Sequence, residues 1–236
     1  MDSFYFFCDS DLHFKKRDNN IVTLYDYKAN NVQRIINSNA DFVLVAGDIT
    51  NNGSDGKKIL CIPISGPEKQ LQAYMSHYVE PIESYGIKVY SCLGNHDNWT
   101  YPPYIHKAIV NFIKKKHGGL LYNFVNKSVQ FICLSIYPDK TSLKYFSKVA
   151  DKSKPIVVFF NYNLEGEVSG SWSNEEKQAF KNTINGYNIK LIVTGHLHEA
   201  WAVTWNGYPV IICGGMGVYK CYFDADTQSI SVEQIV

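Results

Sequence analysis

The chain has 236 residues, 45% hydrophobic and 19% charged, a balance that sustains one buried core and excludes a mainly disordered protein. Lys and Arg number 23 against 22 Asp and Glu, a formal net charge of +1, so no global field exists to hold a polyanion or an anionic membrane. The opening Met1 to Phe7 begins with an acid and lacks a basic stretch, so no signal peptide is expected, and no apolar run approaches the roughly eighteen residues of a membrane span.

In chain order, short apolar runs predict strands from Phe4 to Cys8, Phe42 to Ala46, Ile87 to Leu93, Val129 to Ile136, Ile156 to Phe160, Leu191 to Thr194, Trp201 to Trp205, Val210 to Cys213 and Val218 to Phe223. Between the early ones, Leu71, Tyr74, Met75, Tyr78, Val79 and Ile82 recur at amphipathic-helix spacing, with Pro81 bending the end. Ile105, Ile109, Phe112 and Ile113 form a second stripe, entered through Pro102 and Pro103. Ser173 followed by Glu176 is a capping-box start for a helix through Phe180 and Ile184 that stops near Gly186. After Gly195 the helical spacing disappears, and Asn206-Gly207 marks a hairpin with a type I′ turn. Early βαβ alternation followed by a late meander predicts an α/β fold of two packed sheets flanked by helices, in a single domain over residues 1–236.

Six cysteines, Cys8, Cys61, Cys92, Cys133, Cys213 and Cys221, show no CxxC pairing and mostly lie inside apolar runs. They read as buried free thiols, which places the chain in a reducing, cytoplasmic compartment.

Five clusters of polar residues each follow a predicted strand, at the end where α/β folds gather their sites. Asp11-Leu12-His13 offers a carboxylate and an imidazole two residues apart; on an extended segment they face one side, although a solvated turn is the commoner meaning of such a short match. Gly47-Asp48 puts a carboxylate at a strand tip, or caps a turn. Gly94-Asn95-His96-Asp97 is rarer, because a plain turn needs neither His96 nor Asp97. Asn161-Tyr162-Asn163, the fourth cluster, follows the strand from Ile156 to Phe160, and in Gly195-His196-Leu197-His198 alternate histidines present two imidazoles to one side if extended.

Together these segments resemble the calcineurin-like metallophosphoesterase superfamily, whose blocks run D-x-H, G-D, G-N-H-[DE], H and G-H-x-H. Four of the five are intact and in order, spanning Asp11 to His198. The resemblance implies a four-layer αββα sandwich with a two-metal site at its edge. Asp11, His13 and His198 would hold the first metal, Asp48 would bridge, and Asn95 and His196 would hold the second. Such a mixed N/O set suits Mn, Fe or Zn. Two cations about 3.5–4 Å apart activate a bridging hydroxide for in-line attack on phosphorus, and His96 would protonate the leaving alkoxide.

The fourth block departs from the pattern, with Asn161 where the family has a metal-ligating histidine. The Asn161 amide oxygen can still ligate the second metal, but it is neutral and a poorer donor than imidazole, so that metal should bind weakly or not at all. A natural variant, a chain drifting from catalysis and a deliberately altered ligand all fit. The second block reads Gly47-Asp48-Ile49-Thr50-Asn51-Asn52-Gly53, without the extra Asp and Arg of the Ser/Thr protein phosphatases. It is similar instead to the cyclic-nucleotide and glycerophosphodiester phosphodiesterase branch. The expected substrate is a small phosphodiester or nucleotide-like phosphate, with no membrane partner and no nucleic acid, since no extended basic stripe exists. The alternatives are an inactive binding or scaffold protein of the same fold, and a phosphomonoesterase or nuclease.

Other features carry weaker signals. Lys15-Lys16-Arg17 reads as a solvated basic turn, and Lys114-Lys115-Lys116-His117 as cations complementing a helix end. His77 and His106 read as structural or exposed. Trp99, Tyr101, Tyr104, Tyr162, Trp172 and Trp201 either wall a pocket or belong to the core.

Overall fold

The computed structural model describes residues 2–16, 22–24, 26–51, 58–59, 62–63, 66–98, 107–166, 168–215 and 217–236. Arg17, Cys61, Trp99, Tyr101, Pro102, Pro103, Tyr104, Ile105 and His106 lie outside these, as do the side chains of Lys15 and Lys16.

Strand alternation builds the architecture. The first sheet contains β1 (Phe4–Asp9), β4 (Phe42–Val45), β7 (Lys88–Ser91), β14 (Val218–Asp224) and β15 (Ser229–Ile235), in the order β15-β14-β1-β4-β7. The second contains β8 (Tyr122–Asn126), β9 (Val129–Cys133), β10 (Ile156–Phe159), β11 (Ile189–Thr194), β12 (Ala200–Trp205) and β13 (Tyr208–Cys213), in the order β12-β13-β11-β10-β9-β8. Both sheets are mixed: β1, β4 and β7 run parallel beside antiparallel β14, and β9, β10, β11 and β13 run parallel between antiparallel β8 and β12. Two-residue ladders β2 (Lys15–Lys16) with β3 (Val22–Thr23), and β5 (Lys58–Ile59) with β6 (Ile62–Pro63), lie in connections.

Successive residues face opposite sides of a strand, and here both sides are apolar. Phe6, Cys8, Phe42 and Leu44 meet Phe131, Val157, Phe159 and Val193 between the sheets. Phe7, Val43, Val45 and Val89 point the other way, against helices α1 (Asp26–Ile36), α2 (Gly66–Tyr74) and α5 (Lys107–His117). On the far side, Ile132, Ile156, Val158 and Ile192 pack on α6 (Lys140–Val149) and α7 (Asn174–Ile184) through Phe146, Phe180 and Ile184. Three apolar layers thus separate four structural ones, the expected αββα sandwich.

The stripe from Leu71 to Ile82 is one helical passage with a change of winding, since α2 passes through a π segment, Met75–Val79, into α3 (Glu80–Glu83). The Glu80 amide donates to Met75 O, five residues back, just before Pro81, which has no amide to donate. The capping box at Ser173 forms as expected. Asn206 and Gly207 both take positive φ, 50° and 86°, as a type I′ turn requires. The late strands are not one meander. The β12–β13 hairpin joins the second sheet, whereas β14 and β15 return to the first. The predicted strand from Val129 to Ile136 ends at Cys133, freeing Leu134 to Ile136 to lead toward the site.

Candidate metal centre

The parallel strands fix where the polar segments emerge. In the first sheet Asp9 is level with Val45 and Val45 with Ser91. Their continuations carry Asp11, Asp48 and, on the short α4 (Asn95–Asn98), Asn95 and His96. In the second, Cys133, Phe159 and Val193 are level, leading to Asn161 and His196. The two rims meet, because the His196 amide donates to both Asp11 carboxylate oxygens at 3.1 and 3.0 Å, and Asn161 Nδ2 donates to Ala46 O at 2.9 Å.

The backbone at these residues is not extended, contrary to the expectation for the two His-containing segments. Asp11, His13, Asp48, His196 and His198 all adopt left-handed φ, between 44° and 74°, conformations that non-glycine residues keep only when their surroundings over-determine them. For the Asp11–His13 segment hydrogen bonds do so: Asp11 N to Gly47 O at 3.1 Å, His13 N to Asp48 O at 3.0 Å and Phe14 N to Ile49 O at 2.9 Å. Close approach also demands glycine at two neighbours. A Cβ on Gly94 would fall 2.1 Å from Asp48 Oδ1, and one on Gly195 would fall 1.9 Å from Ser10 Oγ.

Asp11, His13, Asp48 and His198 bring one donor atom each to within 4.8 Å of one another. His13 Nε2 and His198 Nε2 are 2.9 Å apart, and Asp11 Oδ1 lies 3.7 and 3.5 Å from them. Donors sharing one cation with bonds of about 2.0–2.2 Å take up such spacings. Two buried oxygens around the site, Asp48 Oδ2 and Asn95 Oδ1, have no hydrogen-bond partner among the described residues. Polar atoms left so cost free energy unless something binds them, and a divalent cation fits the oxygens and the converging imidazoles alike.

The electrostatics agree. Burial, then the charges of Asp11 and Asp97, push Asp48 well above the usual carboxylate range. At Asp11 burial acts upward too, yet the His13 hydrogen bond and the His13 and His198 charges bring it below its ordinary value. Burial lowers His96, His196 and His198, which keeps the nitrogen lone pairs of His196 and His198 available to a cation.

The remaining predicted ligands are arranged differently. His196 stands outside the four-donor group, with Nε2 2.8 Å from Ser171 Oγ and its ring 4.7 Å from that of Tyr162. Asn161 is fully buried, and its amide spans two backbone groups: Nδ2 donates to Ala46 O, while Oδ1 accepts a long 3.4 Å bond from Asn95 N. His96 lies edge-on to His13, ring centres 4.6 Å apart. Its Nδ1 is 2.5 Å from Asn51 O, a contact in which Nδ1–H donates, and its amide donates to Asp48 Oδ1 at 2.8 Å.

Asp97 carries a role that residue type and spacing did not disclose. Fully buried, its carboxylate accepts from Ile49 N, Thr50 N, Thr50 Oγ1 and Gly94 N at 2.8–3.1 Å, clamping the second and third blocks together. A cleft of about 320 Å³ adjoins the site, lined by Asn95, Asn98, Ile136 and Tyr162. Asn163 holds a loop, its Nδ2 donating to Glu165 O and its carbonyl accepting from Trp172 Nε1. Trp172 is buried, Trp201 exposed and His77 exposed.

A layered sandwich with carboxylate, amide and imidazole side chains collected at the strand ends defines an α/β protein with a candidate metal centre. The sequence matches the calcineurin-like phosphoesterase family over residues 6–200, and the chain belongs to that family. Among solved structures it is similar to a dimetal phosphatase from Danio rerio, with a TM-score of 0.66 and 11% identity, covering 98% of this chain and 95% of that one. It is also similar to the Plasmodium protein GAP50, described as the anchor in the inner membrane complex, with a TM-score of 0.59 and 15% identity, covering 99% and 84%. At these identities the likeness is one of fold. No curated protein matches the sequence. Among the described residues, no helix is long and apolar enough to cross a membrane.

Proposed function

We propose that this chain hydrolyses a small phosphodiester or nucleotide-like phosphate with the help of divalent cations. The observation that carries the reading is the convergence of Asp11, His13, Asp48 and His198 from three separate segments to within 4.8 Å of one another. These four would hold the first cation, and Asp48, Asn95 and His196 the second, with Asn161 beside them. Mn, Fe or Zn suits the donors. When bound, the cations supply an activated water and neutralise charge on the phosphoryl oxygens.

The chain's own residues do the rest. His96, its Nδ1–H held by Asn51 O, hands a proton from its other nitrogen to the leaving oxygen; an arriving phosphate anion favours the protonated ring and opposes the effect of burial. The neighbouring cleft takes the organic group of the ester. A small ester rather than a nucleic acid fits the net charge of +1. A reducing, cytoplasmic location fits Cys8, Cys92, Cys133, Cys213 and Cys221, all buried and unbridged.

Hydrolysis of bis-p-nitrophenyl phosphate and of an alkyl phosphodiester with added Mn tests this. Asp48→Asn should abolish both reactions. His96→Ala should slow the alkyl ester by about 10²–10⁴-fold and the nitrophenyl ester far less, because nitrophenolate leaves without a proton. Equal losses on both would remove His96 as the acid, and an inert wild-type protein would sink the hydrolase reading. The second reading, a binding or scaffold protein, draws on Asn161, whose amide is already committed to Ala46 O and Asn95 N.

A further inference from the structure

Directly beneath the Asp11–His13 segment lies a buried ion pair with no part in the proposed chemistry. Lys28, on α1, reaches Asp9 Oδ1 at 2.6 Å and the Ser10 carbonyl at 2.7 Å, and the Lys28 and Asp9 side chains are both 0% exposed. Tyr78, on the π segment, donates to the other oxygen of Asp9 at 3.0 Å. Ser10 N donates to Asp9 Oδ1 at 2.9 Å, and Ser10 Oγ donates to Ala46 O at 2.9 Å.

A buried pair of this kind is poor value for stability alone, since desolvating both charges consumes most of what their attraction returns and an apolar pair often serves as well. The surroundings are apolar, with Phe7, Val32, Ile35 and Tyr78 in the same layer. What an apolar pair would lack is a donor for the Ser10 carbonyl. That carbonyl sits where β1 stops: Asp9 O still accepts from Ala46 N at 2.8 Å, and the next rung, Asp11 N to Gly47 O, already belongs to the left-handed segment.

We propose that Lys28 is a positioning residue for the first metal site. By gripping Asp9 and the Ser10 carbonyl together it fixes the direction in which the chain leaves β1, so that Asp11 and His13 keep their left-handed backbone and aim their donors at His198 and Asp48. The inference rests on reading Asp11 and His13 as ligands, and helix α1 thereby becomes part of the metal site without touching a cation.

The test compares wild type with Lys28→Met and with Asp9→Asn/Lys28→Met. The double variant removes both charges, keeps an acceptor for Ser10 N while its amide nitrogen can donate to the Tyr78 hydroxyl oxygen, and stays folded if the single variant does not. In the metal-free proteins, hydrogen exchange at the Asp11 and His13 amides should accelerate at least about tenfold relative to the amides of β4, as expected when a local opening is released. Calorimetric titration with Mn should show affinity weakened by about 10–100-fold. A folded double variant with wild-type exchange at Asp11 and His13 would overturn the role of Lys28, as would wild-type exchange and Mn affinity in Lys28→Met. If wild type itself takes up no Mn, the metal reading fails, and the exchange measurement still decides whether Lys28 holds the turn.

Discussion

Asn161 poses the residue-scale problem: an amide stands where the resemblance in sequence led to the expectation of an imidazole, buried against the glycine turn of the second block. A Cβ on Gly47 would lie 2.9 Å from Asn161 Cβ, so little slack exists there. The amide serves as a clamp, Nδ2 on Ala46 O, but Ala46 O also accepts from Ser10 Oγ at 2.9 Å. Asn161→His therefore leaves no bare carbonyl. It should cost about 1 kcal/mol in the metal-free protein, the net worth of one hydrogen bond, while tightening a second equivalent of Mn by about 10–100-fold. Thermal unfolding without metal and calorimetric stoichiometry with Mn check the two halves, and an unchanged second equivalent would place position 161 outside the site. Asp11, His13, Asp48 and His198 were singled out because the order of their segments along the chain resembles the family's blocks, and the fold brings these four together. Asp97 and Lys28 were not. Their roles are set by backbone groups of Ile49, Thr50, Gly94 and Ser10 that only the folded chain brings within reach.

At the scale of elements, legibility followed the apolar pattern and failed where polar residues occupy buried faces. Helix α1 buries Lys28, Asn31, Val32 and Ile35, a regular i, i+3, i+4, i+7 stripe, yet two of the four are polar and the stripe does not read as amphipathic. Strand β8 pairs with β9 through Lys127-Ser128, a turn without the Asn-Gly signal that revealed β12 and β13. The end of α5 was read as a run of cations, and His117 is the exception among them. Its Nε2 accepts from Ser91 N at 3.2 Å, at the end of edge strand β7, and its ring stacks on Tyr122 at 4.5 Å. Burial, aided by the Lys116 charge, lowers its pKa to about 4. An imidazolium cannot accept that bond, so the unfolded chain takes the proton first. The contribution is full above the unfolded value of about 6.5 and is lost as pH falls through the folded one, amounting to at most about 3 kcal/mol. Denaturant unfolding at pH 7 and pH 4 should show wild type losing up to that much more stability than His117→Gln; equal losses would show the ring to be uncoupled from β7.

For the whole molecule, the sequence conveyed two sheets and their flanking helices but not which sheet each late hairpin joins. Val210, Ile211, Ile212 and Cys213 are all buried, as are Val218, Tyr219, Cys221 and Phe223, so both hairpins carry inward faces that either sheet would accept. What the assembled fold adds is a seam. Asp11, His13 and Asp48 belong to loops of the first sheet and His198 to the β11–β12 connection of the second, with the His196–Asp11 and Asn161–Ala46 hydrogen bonds already crossing between them. A cation held by these donors cross-links the two sheets and binds only the folded state. At free Mn of about 100 times its dissociation constant the stability gain is about 2.7 kcal/mol, which for a chain of this length raises the unfolding midpoint by about 5–10 °C. Asp48→Asn should lose the shift and Asn161→His should enlarge it, because one removes a shared donor and the other adds one. A scaffold that never holds metal gives no shift in any of the three proteins. The same scan that measures the seam thus separates the two functional readings without a substrate in hand.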